Sequence, residues 1–140
     1  MSETRPHLKL THEGALKALN AGIAKAADMG QPQCISIVDD GGHLLAFVRM
    51  DGAFHMSLET SLRKARTAAC YGQPTGNTAA GVDIKLALGT DGQRINLPGG
   101  LPVVVDGHLV GGIGVGSGSG EQDREVAAAA IAAIPGAQTV

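Results

Sequence analysis

His55 stands in "DGAFHMS", between an apolar run that ends near Arg49 and Asp51 and a helical pattern that begins at Ser57. An imidazole there can move a proton near neutral pH or ligate a metal; it can also be an ordinary loop side chain. The Arg49 guanidinium has the planar fork that suits a carboxylate, although Arg49 and Asp51 could equally pair at the surface for under about 1 kcal/mol. Lys64 and Arg66 lie with Arg63 in "LRKARTAA", which on a helix is normally a solvated basic flank. Gly99 and Gly100, between Pro98 and Pro102, form either a plain stiff turn or one whose N–H groups face an anion. Together these residues suit a small-molecule enzyme acting on an organic carboxylic acid by proton transfer, of the isomerase or lyase type. Arg49 or Lys64 would hold the carboxylate. The Gly99 and Gly100 amides would stabilise developing negative charge, and His55 or Asp51 would move the proton.

The glycine-rich stretch "PGGLPVVVDGHLVGGIGVGSGSGEQD" invites a nucleotide reading, but its spacing does not support one. A dinucleotide fingerprint needs a third glycine where this chain has Ser117, Ser119 or Glu121. A phosphate loop needs a lysine after its last glycine, and Glu121 follows Gly120. Acidic Glu121 and Asp123 at the helix mouth would also repel a phosphate. Gly111, Gly112 and Gly114 are better read as thinning a strand so that a backbone, a helix or a flat ligand can lie close to it. "GSGSG" then reads as a mobile loop.

These residues need elements to hold them. "LTHEGALKALNAGIAKAADMG" predicts a first helix capped by Thr11, with Leu16, Leu19, Ile23 and Ala26 recurring at helical spacing. Apolar runs over 33–39 and 43–50 flank Asp39-Asp40-Gly41-Gly42 and predict a hairpin covered on both faces. "SLETSLRKARTAACYG" predicts a second helix with Ser57 as N-cap, Gly72 past its end, and Leu58, Leu62, Ala65 and Ala69 inward. A short helix follows near 78–88. A second hairpin turns at Asp106-Gly107, and a last helix is opened by a Ser119–Gln122 capping box and stopped at Pro135-Gly136. Helices on both faces of antiparallel hairpins give an α+β, three-layer domain of the profilin- and PAS-like build, and the length suits one domain.

Composition narrows the function classes. A formal net charge of -2 gives no basic stripe for nucleic acid. No apolar run is long enough to span a bilayer, and "MSETRPHLKL" lacks the apolar core of a signal peptide. Cys34 and Cys70 fit no zinc or redox spacing and read as buried free thiols in a reducing cytoplasm. The chain is expected to be soluble and cytoplasmic.

"FVRMDGA", "KARTAA", "LPGGLPVVVDGHLVGGIGV" and the "QD" of the last helix, in this order, resemble the GlcG/HbpS haem-binding (haem-degrading) family. That family includes the C-terminal domain of PduO-type cobalamin adenosyltransferases. The likeness runs from Leu10 to about Ala133. Where the family usually continues "IGVSG", this chain has "IGVGSGSG", with the serine displaced by one place. The resemblance implies a five-stranded antiparallel sheet flanked by helices, a homo-oligomer, and haem or a related tetrapyrrole as the small-molecule ligand. Haem needs an axial ligand, an apolar slot and cations for its propionates. Of the histidines, His55 is the candidate for the iron; His7, His12, His43 and His108 sit at a terminus, a first helical turn and two hairpin turns. Arg49, Lys64, Gly99 and Gly100 are the accompanying ligand-binding candidates, and the match of Lys64 and Arg66 to "KARTA" favours a site or subunit-interface role for that helix.

Overall fold

The computed structural model describes residues 2–139. The chain runs α1 (His12–Asp28), β1 (Cys34–Asp39), β2 (Leu44–Arg49), α2 (Ser57–Tyr71), α3 (Val82–Gly89), β3 (Gly100–Val105), β4 (His108–Gly116), α4 (Gly120–Ala132). The four strands form one antiparallel sheet in the order β2-β1-β4-β3. α1 and α4 pack together on one face and α2 covers the other, so the layers are helix, sheet, helix. The fifth expected strand is not formed among the described residues. After Pro135-Gly136 the chain makes only one bridge, Val105 to Ala137, along the β3 edge, with Gln138 N–H donating to the Val104 carbonyl.

Local chemistry sets the element ends. The Thr11 hydroxyl accepts from Gly14 N–H at the start of α1, and the Ser119–Gln122 capping box opens α4. Gly72 ends α2 in the left-handed conformation, and Asp106-Gly107 turns the second hairpin with positive φ at both residues. Ser57 differs from expectation. It is the first residue of α2 rather than its cap, and its hydroxyl bonds Ser117 Oγ at 2.7 Å. α3 begins at Val82, later than expected. Leu16 and Leu58, expected inside, are exposed, because the helix faces that meet the sheet are lined by smaller residues such as Ala15, Ala18, Ser61 and Ala65. Cys34 is buried as expected, but Cys70 is exposed, because it lies off the stripe of α2 that meets the sheet.

The sheet has two unlike faces. Ile35, Ile37, Ile113 and Val115 point toward α1 and α4 and form the main core with Leu19, Val126 and Ile131. Each such side chain contributes about 1.5–3 kcal/mol on burial. On the opposite face β4 presents Gly112, Gly114 and Gly116, against which α2 lays the stripe Ser57, Ser61, Ala65 and Ala69. A methyl at Gly114 would overlap the Ser61 carbonyl, and one at Gly112 the Ala65 carbonyl. The glycines therefore let a helix, rather than a phosphate, approach the strand. Ser36 and Ser61 hydroxyls bond each other at 2.8 Å within this layer.

Candidate functional site

A groove of about 320 Å³ opens where β4 ends, between the loop before α2, the turn at Pro98 and the N-terminus of α4. At its floor the Lys64 ammonium, carried down by the close seating of α2, donates to the Val115 carbonyl at 2.7 Å and to Asp123 Oδ2 at 2.9 Å. Only 5% of the Lys64 side chain and 4% of that of Asp123 are exposed. Asp123 Oδ1 accepts from Gly118 N–H at 2.9 Å. Burial pushes the Asp123 carboxyl above its ordinary range, against the opposing pull of Lys64 and the Gly118 amide. Gln33 lies fully buried behind Gly118, and neither of its side-chain amide atoms has a partner among the described residues.

The rim is largely apolar, and His55 adjoins it in the chain without lining the groove. Phe54 and Met56 line the groove although 63% and 72% of their surface is exposed, and Leu97 faces them from the Pro98 turn. His55 lies between Phe54 and Met56, exposed, with no hydrogen bond or ion pair from its ring among the described residues. This loop is held by Ser117, whose hydroxyl accepts from Phe54 N–H at 3.0 Å and bonds Ser57 Oγ. Ser117 has φ +101, a conformation costing about 1–3 kcal/mol outside glycine, and these bonds hold it there. "GSGSG" is thus a pinned corner, fixed by Ser117, by Gly118 on Asp123 and by the Ser119 cap.

Arg49 and Asp51 are both exposed and form no ion pair with each other among the described residues. Arg49 ends β2 opposite Cys34, whose Sγ contacts the Phe54 carbonyl, so the guanidinium stands at the same end of the sheet as His55. Burial pushes the Cys34 thiol up and nearby Arg49 draws it partly back, leaving a protonated, unreactive sulfur. Gly99 and Gly100 are buried beside the floor of the groove. The Gly100 N–H is occupied by Thr75 Oγ1 at 2.8 Å, and the Gly99 carbonyl accepts from Val115 N–H. Gly99, at φ +119, leaves no room for a Cβ against Asp123 and Lys64. The proton-transfer arrangement expected from the residues alone therefore has the Lys64 charge neutralised internally and the Gly100 amide already bonded. Among the described residues the Arg49 guanidinium has no hydrogen bond or ion pair.

Sequence reasoning did not single out Asp123 as a partner of Lys64, nor Gln33, nor Ser117. The "QD" at the helix start was the available signal for Asp123, and the displaced serine was the one for Ser117. Arg66, grouped with Lys64, instead reaches the Gly42 carbonyl at 3.0 Å and Gln93 Oε1 at 3.1 Å.

Residues 10–132 match the family described as haem-degrading protein, HbpS-like. The chain belongs to that family. Among HbpS-like relatives, an uncharacterized 15.0 kDa protein of the dhaT–dhaS intergenic region of Citrobacter freundii is 38% identical over 136 residues, spanning 94% of this chain and 96% of that protein. The crystal structure of Klebsiella pneumoniae ORFY superposes with a TM-score of 0.90 at 31% identity, covering 96% of each chain. The crystal structure of a PduOC–haem complex superposes with a TM-score of 0.86 at 31% identity, covering 94% of this chain and 99% of the other. Haem binding is thus a property found within this HbpS-like family. No helix among the described residues is long and apolar enough to cross a membrane.

Proposed function

We propose that this HbpS-like chain binds haem, or a related tetrapyrrole, at the end of the sheet where His55 stands among Phe54, Met56 and Leu97. The observation that carries the reading is an exposed imidazole, unpartnered among the described residues, that adjoins in the chain two large, exposed apolar side chains, Phe54 and Met56, which line a groove. The donor set fits the group: His55 would supply the axial nitrogen, Phe54, Met56 and Leu97 the apolar contact, and Arg49 a cation for a propionate. When bound, haem would supply an iron whose ligand affinity and redox behaviour depend on that axial nitrogen and on the apolar surroundings. Lys64 acts indirectly, by fixing the Gly118 and Asp123 corner on which the loop rests through Ser117.

The chain works as a homo-oligomer in this reading. Ile84 and Leu88, on the outward side of α3, are large and strongly exposed, which suits a surface covered by another copy.

Haemin titrated into the purified apo-protein tests the assignment. The expected result is a sharp Soret band saturating at one haem per chain, lost in His55→Ala and weakened in Arg49→Gln. A broad band that never saturates would remove haem from the proposal, and a sharp band unchanged in His55→Ala would move the axial ligand elsewhere.

A further inference from the structure

The groove beside His55 is not the largest opening in the chain. Between α2 and the segment carrying α3 lies a cavity of about 660 Å³, within the roughly 300–1,000 Å³ range of small-molecule sites. Its apolar walls include Tyr71, Pro74 and Ile95 from below and Val82 and Leu86 from α3 above. Val82 and Leu86 stand one turn apart on the side of α3 that faces the cavity, opposite to Ile84 and Leu88. No residue of α3 is buried.

The roof is held up by polar ties rather than by apolar packing. Arg63 Nη1 donates to the Gly92 carbonyl at 2.8 Å, and Ile95 N–H donates to Thr67 Oγ1 at 3.0 Å. Asn96 exchanges two bonds of 3.0 Å with the Thr78 backbone. These contacts fix the base of the segment, and the apolar side chains on the inner face of α3 stay unburied among the described residues. Arg94 lines the same cavity. Its guanidinium makes no hydrogen bond or ion pair among the described residues, and no described aspartate or glutamate lines the cavity. An always-charged fork set among apolar walls, with no carboxylate of the chain's own beside it, is suited to a carboxylate brought by a ligand.

We propose that this cavity is a second small-molecule site, distinct from the His55 groove, which takes a flat apolar monocarboxylate with its acid group on Arg94 and its apolar body against Val82, Leu86 and Ile95. The site has no histidine in its lining, so it does not depend on the haem reading.

Calorimetric titration with naphthalene-2-carboxylate, and with the uncharged 2-naphthylmethanol of similar shape, tests this. The wild-type chain is expected to bind the carboxylate saturably at one per chain, about tenfold or more tighter than the alcohol, as a charge-assisted bidentate contact allows. Arg94→Gln should remove that preference and leave alcohol binding unchanged; Leu86→Asp should weaken both ligands. His55→Ala should bind the carboxylate as wild type does. Circular dichroism checks that each variant is folded. The proposal is overturned if the carboxylate does not saturate, or if Arg94→Gln binds it as tightly as wild type. It is also overturned if haemin displaces it while haem binding is lost in Arg94→Gln and kept in His55→Ala, an outcome that would transfer the tetrapyrrole to this cavity.

Discussion

Lys64→Met removes a buried ammonium while keeping most of the side chain's length and apolar contact. Asp123 would keep the Gly118 N–H but lose its charged partner, and the Val115 carbonyl would lose its Lys64 donor. Breaking a buried pair from one side costs about 3–5 kcal/mol, because the remaining charge stays desolvated. Against a total stability of about 5–15 kcal/mol this is a large share, and it corresponds to a fall in Tm on the order of 10 °C. The loss should depend on pH. Asp123 already has a folded-state pKa raised above its ordinary 3.8 by burial, and taking away Lys64 raises it further. A carboxyl with a raised folded-state pKa favours folding below its unfolded value, and that contribution is lost as pH rises through the folded value. The Lys64→Met defect should therefore be larger at pH 7 than at pH 5, shrinking as acid protonates Asp123. Urea unfolding followed by far-ultraviolet circular dichroism at pH 7 and pH 5 measures both quantities, since the chain has no tryptophan to report by fluorescence. Lys64→Met/Asp123→Asn should recover much of the loss at pH 7. A single-variant cost under about 1 kcal/mol at pH 7 would show that the pair is solvated in solution, and the argument for its organising role would fail.

Two further substitutions probe the frame around the site. Gly114→Ala puts a methyl into the Ser61 carbonyl, so α2 must lift from the sheet; a loss of about 1–3 kcal/mol or more is expected in urea unfolding, and a loss under about 0.5 kcal/mol would contradict the close seating described here. Ser119→Ala removes one half of the α4 capping box and should lower stability by about 1 kcal/mol, with faster amide exchange confined to the first turn of α4; exchange unchanged there would mean the cap is redundant.

Much of the frame was legible as local chemistry. Thr11, the Ser119–Gln122 box, Gly72 and Asp106-Gly107 act through groups a few residues apart, so their neighbours in sequence suffice to read them. The apolar runs over 33–39 and 43–50 indicated a sheet covered on both faces; this holds for β1, whereas β2, at the sheet edge, is only partly covered and leaves Leu44 exposed. Reading failed where a distant group intervened. Ser57 has the composition of a cap, but Ser117 takes its hydroxyl from across the fold. Leu58 fits an inward pattern, yet the glycine face of β4 selects the smaller stripe of Ser57, Ser61, Ala65 and Ala69. Lys64 fits a solvated flank, and that same close approach carries it under the Pro98 turn to Asp123.

The sequence by itself determined the order of helices and hairpins, the turns and the caps of α1 and α4, and the membership of the HbpS-like family, because each rests on residue types at short or fixed spacing. Only the tertiary structure decided which polar groups are free. Arg49 and Arg94 are both ordinary surface-type residues in the sequence, as is Lys64, but Lys64 is neutralised inside the protein and the two arginines have no carboxylate partner among the described residues. Burial and pairing are properties of what the folded chain brings within a few ångströms, and no local pattern encodes that for residues far apart in sequence.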